Sequence, residues 1–155
     1  MFMKKVLLML VLIALVVIPV SAANDLAVGL NLGTTAGVGA RYRMDDFDIV
    51  GNLSIGFIGG SNLALDAAAN YKVYDFEINN EPFDVTVGGG LAVAIPLGSG
   101  EFRMEIIVPV GLNYSLKNDD LPLDFYLRVG PSIRVVKGSA GLIGGYGVIG
   151  ALWRL

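Results

Sequence analysis

The sequence predicts an all-β fold: eight antiparallel strands in up-and-down order, closed into a transmembrane β-barrel. Three observations lead there. The first is the stretch Phe102 to Leu116, FRMEIIVPVGLNYSL, in which every second residue is apolar: Phe102, Met104, Ile106, Val108, Val110, Leu112, Tyr114 and Leu116. The other row is Arg103, Glu105, Ile107, Pro109, Gly111, Asn113 and Ser115. Side chains alternate across a strand, so one face is unbroken apolar and the other mostly charged, polar or small. The stretch exceeds the about 5–6 residues of an ordinary strand and suffices for the about 9–11 tilted residues that cross a bilayer. Second, the chain is 54% hydrophobic with a mean hydropathy of +0.66 and only 16% charged, yet no segment after the N-terminus reads as a spanning helix. A closed barrel is the one non-helical way to satisfy every backbone group in lipid. Third, clusters of Gly, Asn, Asp and Ser recur between alternating runs, as short hairpin connections require.

The N-terminus reads as a targeting segment. Lys4 and Lys5 form a basic start, Val6 to Ile18 is almost purely aliphatic, Pro19 interrupts it, and Val20-Ser21-Ala22-Ala23 offers small residues for cleavage. The apolar run is shorter than the roughly 20 residues of a spanning helix. Residues 1–23 are therefore expected to be a signal peptide, cleaved near Ala22 or Ala23, and residues 24–155 the barrel. Cleavage removes two lysines and makes the net charge of −3 more negative; nothing in that balance favours nucleic acid. The chain has no cysteine, hence no disulfide or thiolate chemistry. It also has no histidine, which removes the commonest general base and metal ligand.

The eight segments, in order, are Asp25–Gly33, Ala36–Met44, Phe47–Ile58, Asn62–Tyr74, Phe83–Ile95, Phe102–Leu116, Pro122–Val136 and Ala140–Arg154. The first carries Leu26, Val28, Leu30 and Leu32 on its apolar row, the third Ile49, Leu53, Ile55 and Phe57. The fifth carries Phe83, Val85, Val87, Leu91, Val93 and Ile95, the seventh Leu123, Phe125, Leu127, Val129, Ile133 and Val135. The connections are Gly33-Thr34-Thr35, Asp45-Asp46, Gly59-Gly60-Ser61, Asn79-Asn80-Glu81-Pro82, Gly98-Ser99-Gly100, Lys117-Asn118-Asp119-Asp120 and Lys137-Gly138-Ser139. An even strand number places both termini on the periplasmic side of an outer membrane.

Alternation alone does not say which row faces inward, and a soluble lipocalin-like barrel has the same period. Three features choose. The polar row is rich in small residues, such as Thr86, Gly88, Gly90, Ala92 and Ala94, which fit the narrow interior of an eight-stranded barrel. The apolar row is too bulky in total for that interior. The aromatics gather at strand ends: Tyr42, Phe47, Tyr71, Phe83, Tyr114, Phe125 and Trp153 fall on the periplasmic rim, against Phe57 and Phe102 on the other. That is the girdle expected at a membrane–water boundary.

With the apolar row outward, the interior receives Arg41, Arg43, Asp48, Asp66, Lys72, Asp84, Arg103, Glu105, Asp124, Arg128, Arg134 and Arg154. Charges so placed are costly unless paired. Near-balance of sign and the preference for arginine over lysine point to bidentate pairing and a plugged interior, with a narrow porin-like pore as the other reading. Gly145-Tyr146-Gly147-Val148-Ile149-Gly150 matches a dinucleotide glycine pattern, but too few residues follow for a phosphate-binding helix. Those glycines are read instead as close packing in the last strand.

The chain resembles the small eight-stranded outer-membrane barrels of the OmpA, OmpX and OmpW type, most nearly the spirochaete-type small barrels. The residues that carry the likeness are Val108 to Leu116, Leu121 to Val136, Gly141 to Leu155 and Gly37 to Met44. The final strand, with Ile149, Ala151, Trp153 and Leu155 in one row, is similar to the signal read by the outer-membrane assembly machinery, although Leu155 stands where the family usually ends in Phe. The resemblance implies a monomeric barrel in the lipid bilayer with no cofactor or metal. The expected role is non-enzymatic and structural. A lipocalin-like periplasmic carrier of an apolar ligand is the alternative. A lipid-modifying barrel enzyme would need histidine, which the chain lacks.

Overall fold

A computed structural model describes residues 25–56, 62–118, 120–136 and 141–155; the signal-peptide reading of residues 1–23 and the rim position of Phe57 lie outside them. The described chain is all-β. Its strands are β1 (Leu26–Gly33), β2 (Thr35–Met44), β3 (Phe47–Gly56), β4 (Asn62–Ile78), β5 (Glu81–Pro96), β6 (Arg103–Ile107), β7 (Val110–Ser115), β8 (Leu123–Arg134) and β9 (Ile143–Arg154). They form one antiparallel sheet that closes on itself: apart from β6 and β7, each strand pairs with the next in sequence, and β1 pairs back onto β9 from Ala27↔Arg154 to Gly33↔Val148. Closure leaves no sheet edge around the ring, so backbone donors and acceptors meet one another.

Nine strands stand where the sequence predicts eight. The single strand expected over Phe102–Leu116 is two, β6 and β7, and both pair with β5 on one side and β8 on the other. The cause is a pair of prolines at one level. Gly88 donates its N–H to the Pro109 carbonyl, and Val108 donates to the Pro131 carbonyl. The reciprocal bonds cannot form, because neither proline has an N–H. Half the ladder is lost on both sides of this point, yet the register is unbroken. Phe83↔Tyr114 and Leu91↔Ile106 belong to one continuous alignment, as do Val110↔Val129 and Ile106↔Ile133. The two strands thus occupy one of eight positions around the ring, and the alternation runs through Val108-Pro109 without inversion.

The fourth hairpin is also longer than expected. β4 continues past Tyr74 to Ile78 and β5 begins at Glu81 rather than Phe83, so the connection is Asn79-Asn80 alone. Both asparagines have positive φ, 53° and 65°, the conformation a two-residue type I′ hairpin demands and asparagine tolerates. A register shift between Lys72 and Tyr74 marks a bulge in β4, after which Tyr74, Phe76 and Ile78 lie on the outer row. The other strands differ from expectation at their ends: β1 and β6 start one residue later, β2 one residue earlier, and β8 is shorter at both ends.

Cross-strand partners show how steeply the strands tilt. From Phe47 on β3 they run through Tyr71, Val87, Val110, Val129 and Gly147. Gly147 accepts from the Thr34 N–H, and Thr34 adjoins Thr35, whose β3 partner is Gly56. One circuit therefore climbs about ten residues along β3, a shear that sets the tilt of eight staves near the usual 35–45°.

Amide hydrogen exchange in detergent micelles tests the proline break. The Gly88 and Val108 amides are expected to be as protected as the β8–β9 ladder. Rapid exchange at both would mean that β6 and β7 are separate hairpins rather than one interrupted stave.

Candidate functional site

The inner and outer rows separate by chemistry. Leu30 is 69% exposed and Ile149 55% on the outside, and Val129, Val110, Val38 and Val87 are exposed with them. Arg41, Asp124 and Arg128 are each 1% exposed on the inside. A buried ion costs several kcal/mol unless it is paired and hydrogen-bonded, so the interior is built around its carboxylates.

Nearest the end that holds the termini, Asp124 of β8 gathers three arginines. Arg41 of β2 contacts it directly, Arg154 Nε lies 3.5 Å away and Arg43 3.7 Å away. Arg43 also donates to Ser115 Oγ at 3.0 Å, and Arg154 to the Leu116 carbonyl at 2.7 Å. Asp48 of β3 is the second centre. It accepts from Arg128 at 3.1 Å, Asn70 at 2.8 Å and Asn113 at 3.2 Å, which come from β8, β4 and β7. Three donors from three strands hold the carboxylate at the axis. Lys72 and Asp84, half-buried, approach to 3.8 Å at the rim.

Higher in the ring stands a mostly neutral node. Asn52 donates to Asp66 at 2.7 Å and accepts from Asn31 at 2.7 Å and Tyr126 at 3.0 Å; Tyr146 donates to Asp66 at 3.1 Å. The Arg128 guanidinium lies 4.5 Å from the Tyr126 ring centre, coupling the node to the charged layer below. Two glycines make room for it. A Cβ on Gly150 would lie 2.2 Å from Tyr126 Cε1, and one on Gly39 would lie 2.6 Å from Asn52 Oδ1. Of the other glycines in the last-strand pattern, Gly145 has open space around it and Gly147 meets only a Val129 methyl at 3.8 Å. Close packing there is thus the property of Gly150.

At the far end Arg134 donates to Glu105 at 3.2 Å and to the Gly141 carbonyl at 2.9 Å. Arg103 has no ion pair among the described residues. A cavity of about 170 Å³ lies at the terminal end, bordered by Arg43, Asp48, Lys72 and Asp84, and one of about 230 Å³ at the loop end, bordered by Asp66, Arg103, Glu105 and Tyr146. They share no lining residue, and the buried Arg41, Asp124, Arg128 and Tyr126 belong to neither.

Of the twelve charged residues expected inside, the structure joins Arg41, Arg43, Arg154 and Asp124 in one cluster. Arg128 meets Asp48, Lys72 meets Asp84 and Arg134 meets Glu105. Asp66 is held by neutral donors and Arg103 stands apart. Missed in the sequence were Asn31, Tyr126 and Tyr146, whereas Asn113 stood in the polar row of its strand. The same alternation could have found them: Asn31 sits between Leu30 and Leu32, and Tyr126 between Phe125 and Leu127. The outward aromatics stack in a row across four strands, Tyr74–Phe76 at 6.3 Å, Phe76–Phe83 at 5.4 Å, Phe83–Tyr114 at 5.0 Å and Tyr114–Phe125 at 6.2 Å. Tyr74 and Phe76 join this row through the lengthened hairpin; Tyr42, Phe47, Tyr71 and Trp153 lie near the same end.

Asp48→Ala is expected to cost about 3–5 kcal/mol in urea unfolding, because it strands the buried Arg128. Arg43→Ala, at a 38% exposed side chain, is expected to cost at most about 1 kcal/mol. Equal losses would show that Asp48 does not anchor the interior. Comparison of the chain with protein-family models, curated proteins and solved structures yields no match.

Proposed function

We propose that the protein is a non-enzymatic outer-membrane β-barrel with a structural role in the envelope. In this reading it is exported by a cleaved signal peptide, inserted through its last strand by the assembly machinery, monomeric, and closed to ions by its salt-bridged interior. The observation that carries the reading is the pairing of an apolar row exposed around the ring with ionised groups buried along its axis. In water such an exterior is an aggregation surface. In lipid it is matched to its solvent, and the closed hydrogen-bonded ring satisfies the backbone. The aromatic row at the terminal end fits the headgroup boundary on the periplasmic side.

The interior supports a plug rather than a pore. Asp48 and Asp124 are each met by donors from strands across the ring, and arginine supplies most of the cations. Fixed pairs leave few mobile counter-charges to carry current. A carrier of an apolar ligand would want an apolar interior, whereas the buried node consists of Asn31, Asn52, Asp66 and two tyrosine hydroxyls.

Detergent-extracted protein is expected to change gel mobility on boiling, as folded barrels do. Val108→Arg, which places a cation on the outer face at mid-strand, is expected to cost about 2–4 kcal/mol and block insertion. Normal insertion of that variant would remove the membrane reading. In planar bilayers the native protein is expected to be silent; steady unitary conductance would replace the plug with a pore.

A further inference from the structure

The inner face is not filled evenly. Towards the loop end it carries Gly56, Ala64, Ala92, Ala94 and Gly144, and their small side chains leave the cavity of about 230 Å³. That is below the about 300 Å³ at which pockets for drug-sized ligands begin, so it suits a molecule of a few heavy atoms.

Two charged groups on its wall are unmet by the described residues. Arg103 has no ion pair or hydrogen bond among the described residues, whereas the neighbouring Arg134 is committed to Glu105 and the Gly141 carbonyl. Asp66 receives both of its donors, Asn52 and Tyr146, on Oδ1, so Oδ2 has none among the described residues.

The positions of the two unmet charges follow from register. Arg103 lies opposite Ala94, and Ala94 opposite Ala64, one inward step from Asp66 on β4. A free cation and a free carboxylate oxygen thus border one small cavity, separated by alanines. With Arg134 and Glu105 included, the wall is neutral overall, which gives a bare anion or cation little advantage.

We propose that the loop-end cavity binds a small zwitterion of the α-amino-acid class, its carboxylate on Arg103 and its ammonium group on Asp66 Oδ2. A guanidinium suits a carboxylate because it offers paired donors in one plane. The alanine-lined wall leaves room for a small side chain and rejects a large one. The inference is independent of the membrane reading, since the cavity lies inside the ring whatever surrounds it.

The test is calorimetric titration of the full-length protein, folded in micelles, with glycine, L-alanine, acetate and methylammonium. Glycine and L-alanine are expected to bind saturably, and acetate or methylammonium alone at least about tenfold more weakly. Arg103→Gln and Asp66→Asn are each expected to weaken glycine binding at least about tenfold, since each removes a hydrogen bond to a charged group. The boiling-dependent gel shift of every variant separates loss of binding from loss of fold. Arg103→Gln breaks no ion pair or hydrogen bond among the described residues, so it carries the test even if Asp66→Asn fails to fold. Acetate binding as tightly as glycine, with Asp66→Asn unchanged, would convert the site to a plain anion site and overturn the proposal. So would the absence of saturable binding by any of the four probes.

Discussion

The interior ion pairs impose the constraint on which the rest of this structure depends. Asp124 and Asp48 are buried in a ring only eight staves wide, where an unmatched charge is intolerable. Their cationic partners come from across the ring: Arg41 and Asp124 are 83 residues apart in sequence, Arg128 and Asp48 are 80. Neither pair can form until β8 has come round beside the first strands. The same closure that satisfies the backbone therefore also brings the interior charges to their partners, so the two events support each other. A partly closed sheet would leave unpaired edges and unpaired ions together, and long-range pairing of this kind carries a high loop-closure cost.

Side-chain volume divides the interior along its axis. Arg41, Arg128, Tyr126, Asp48 and Asp124 fill the interior towards the terminal end, where a methyl group on Gly150 would run into Tyr126 and one on Gly39 into Asn52. The loop half carries alanines and glycines between its charged residues and stays open. A tilted ring of fixed circumference cannot shrink locally, so small residues on its inner face become a cavity rather than a tighter contact. The proposed plug and the proposed zwitterion site are two outcomes of one sequence of inward residues.

The prolines show how little a local defect disturbs such a ring. Pro109 and Pro131 each remove one backbone donor at the same level, and the ladder is interrupted on both sides of one stave. Every other constraint there still holds: the register on both flanks, the burial of Ile107 and Pro109, and the exposure of Val108 and Val110. Cross-strand bonds above and below keep the segment aligned.

The sequence by itself determined which residues form strands, which row of each is apolar, and which charges share the other row, because the period of two is a local property of extended backbone. It could not give the hairpin at Asn79-Asn80 or the split at Pro109, since both turn on where a strand meets its neighbour. Nor could it choose partners among the inward charges. Alternation places Arg103 and Arg134 on one face with equal right to Glu105; only the closed ring brings β6 beside β8 and commits Arg134 to it. Asp66 shares the inward row with the other acids, yet it is held by an asparagine and a tyrosine rather than by an arginine. Those assignments depend on shear and on distance across the ring, which are set by how the strands close and not by any one stretch of residues.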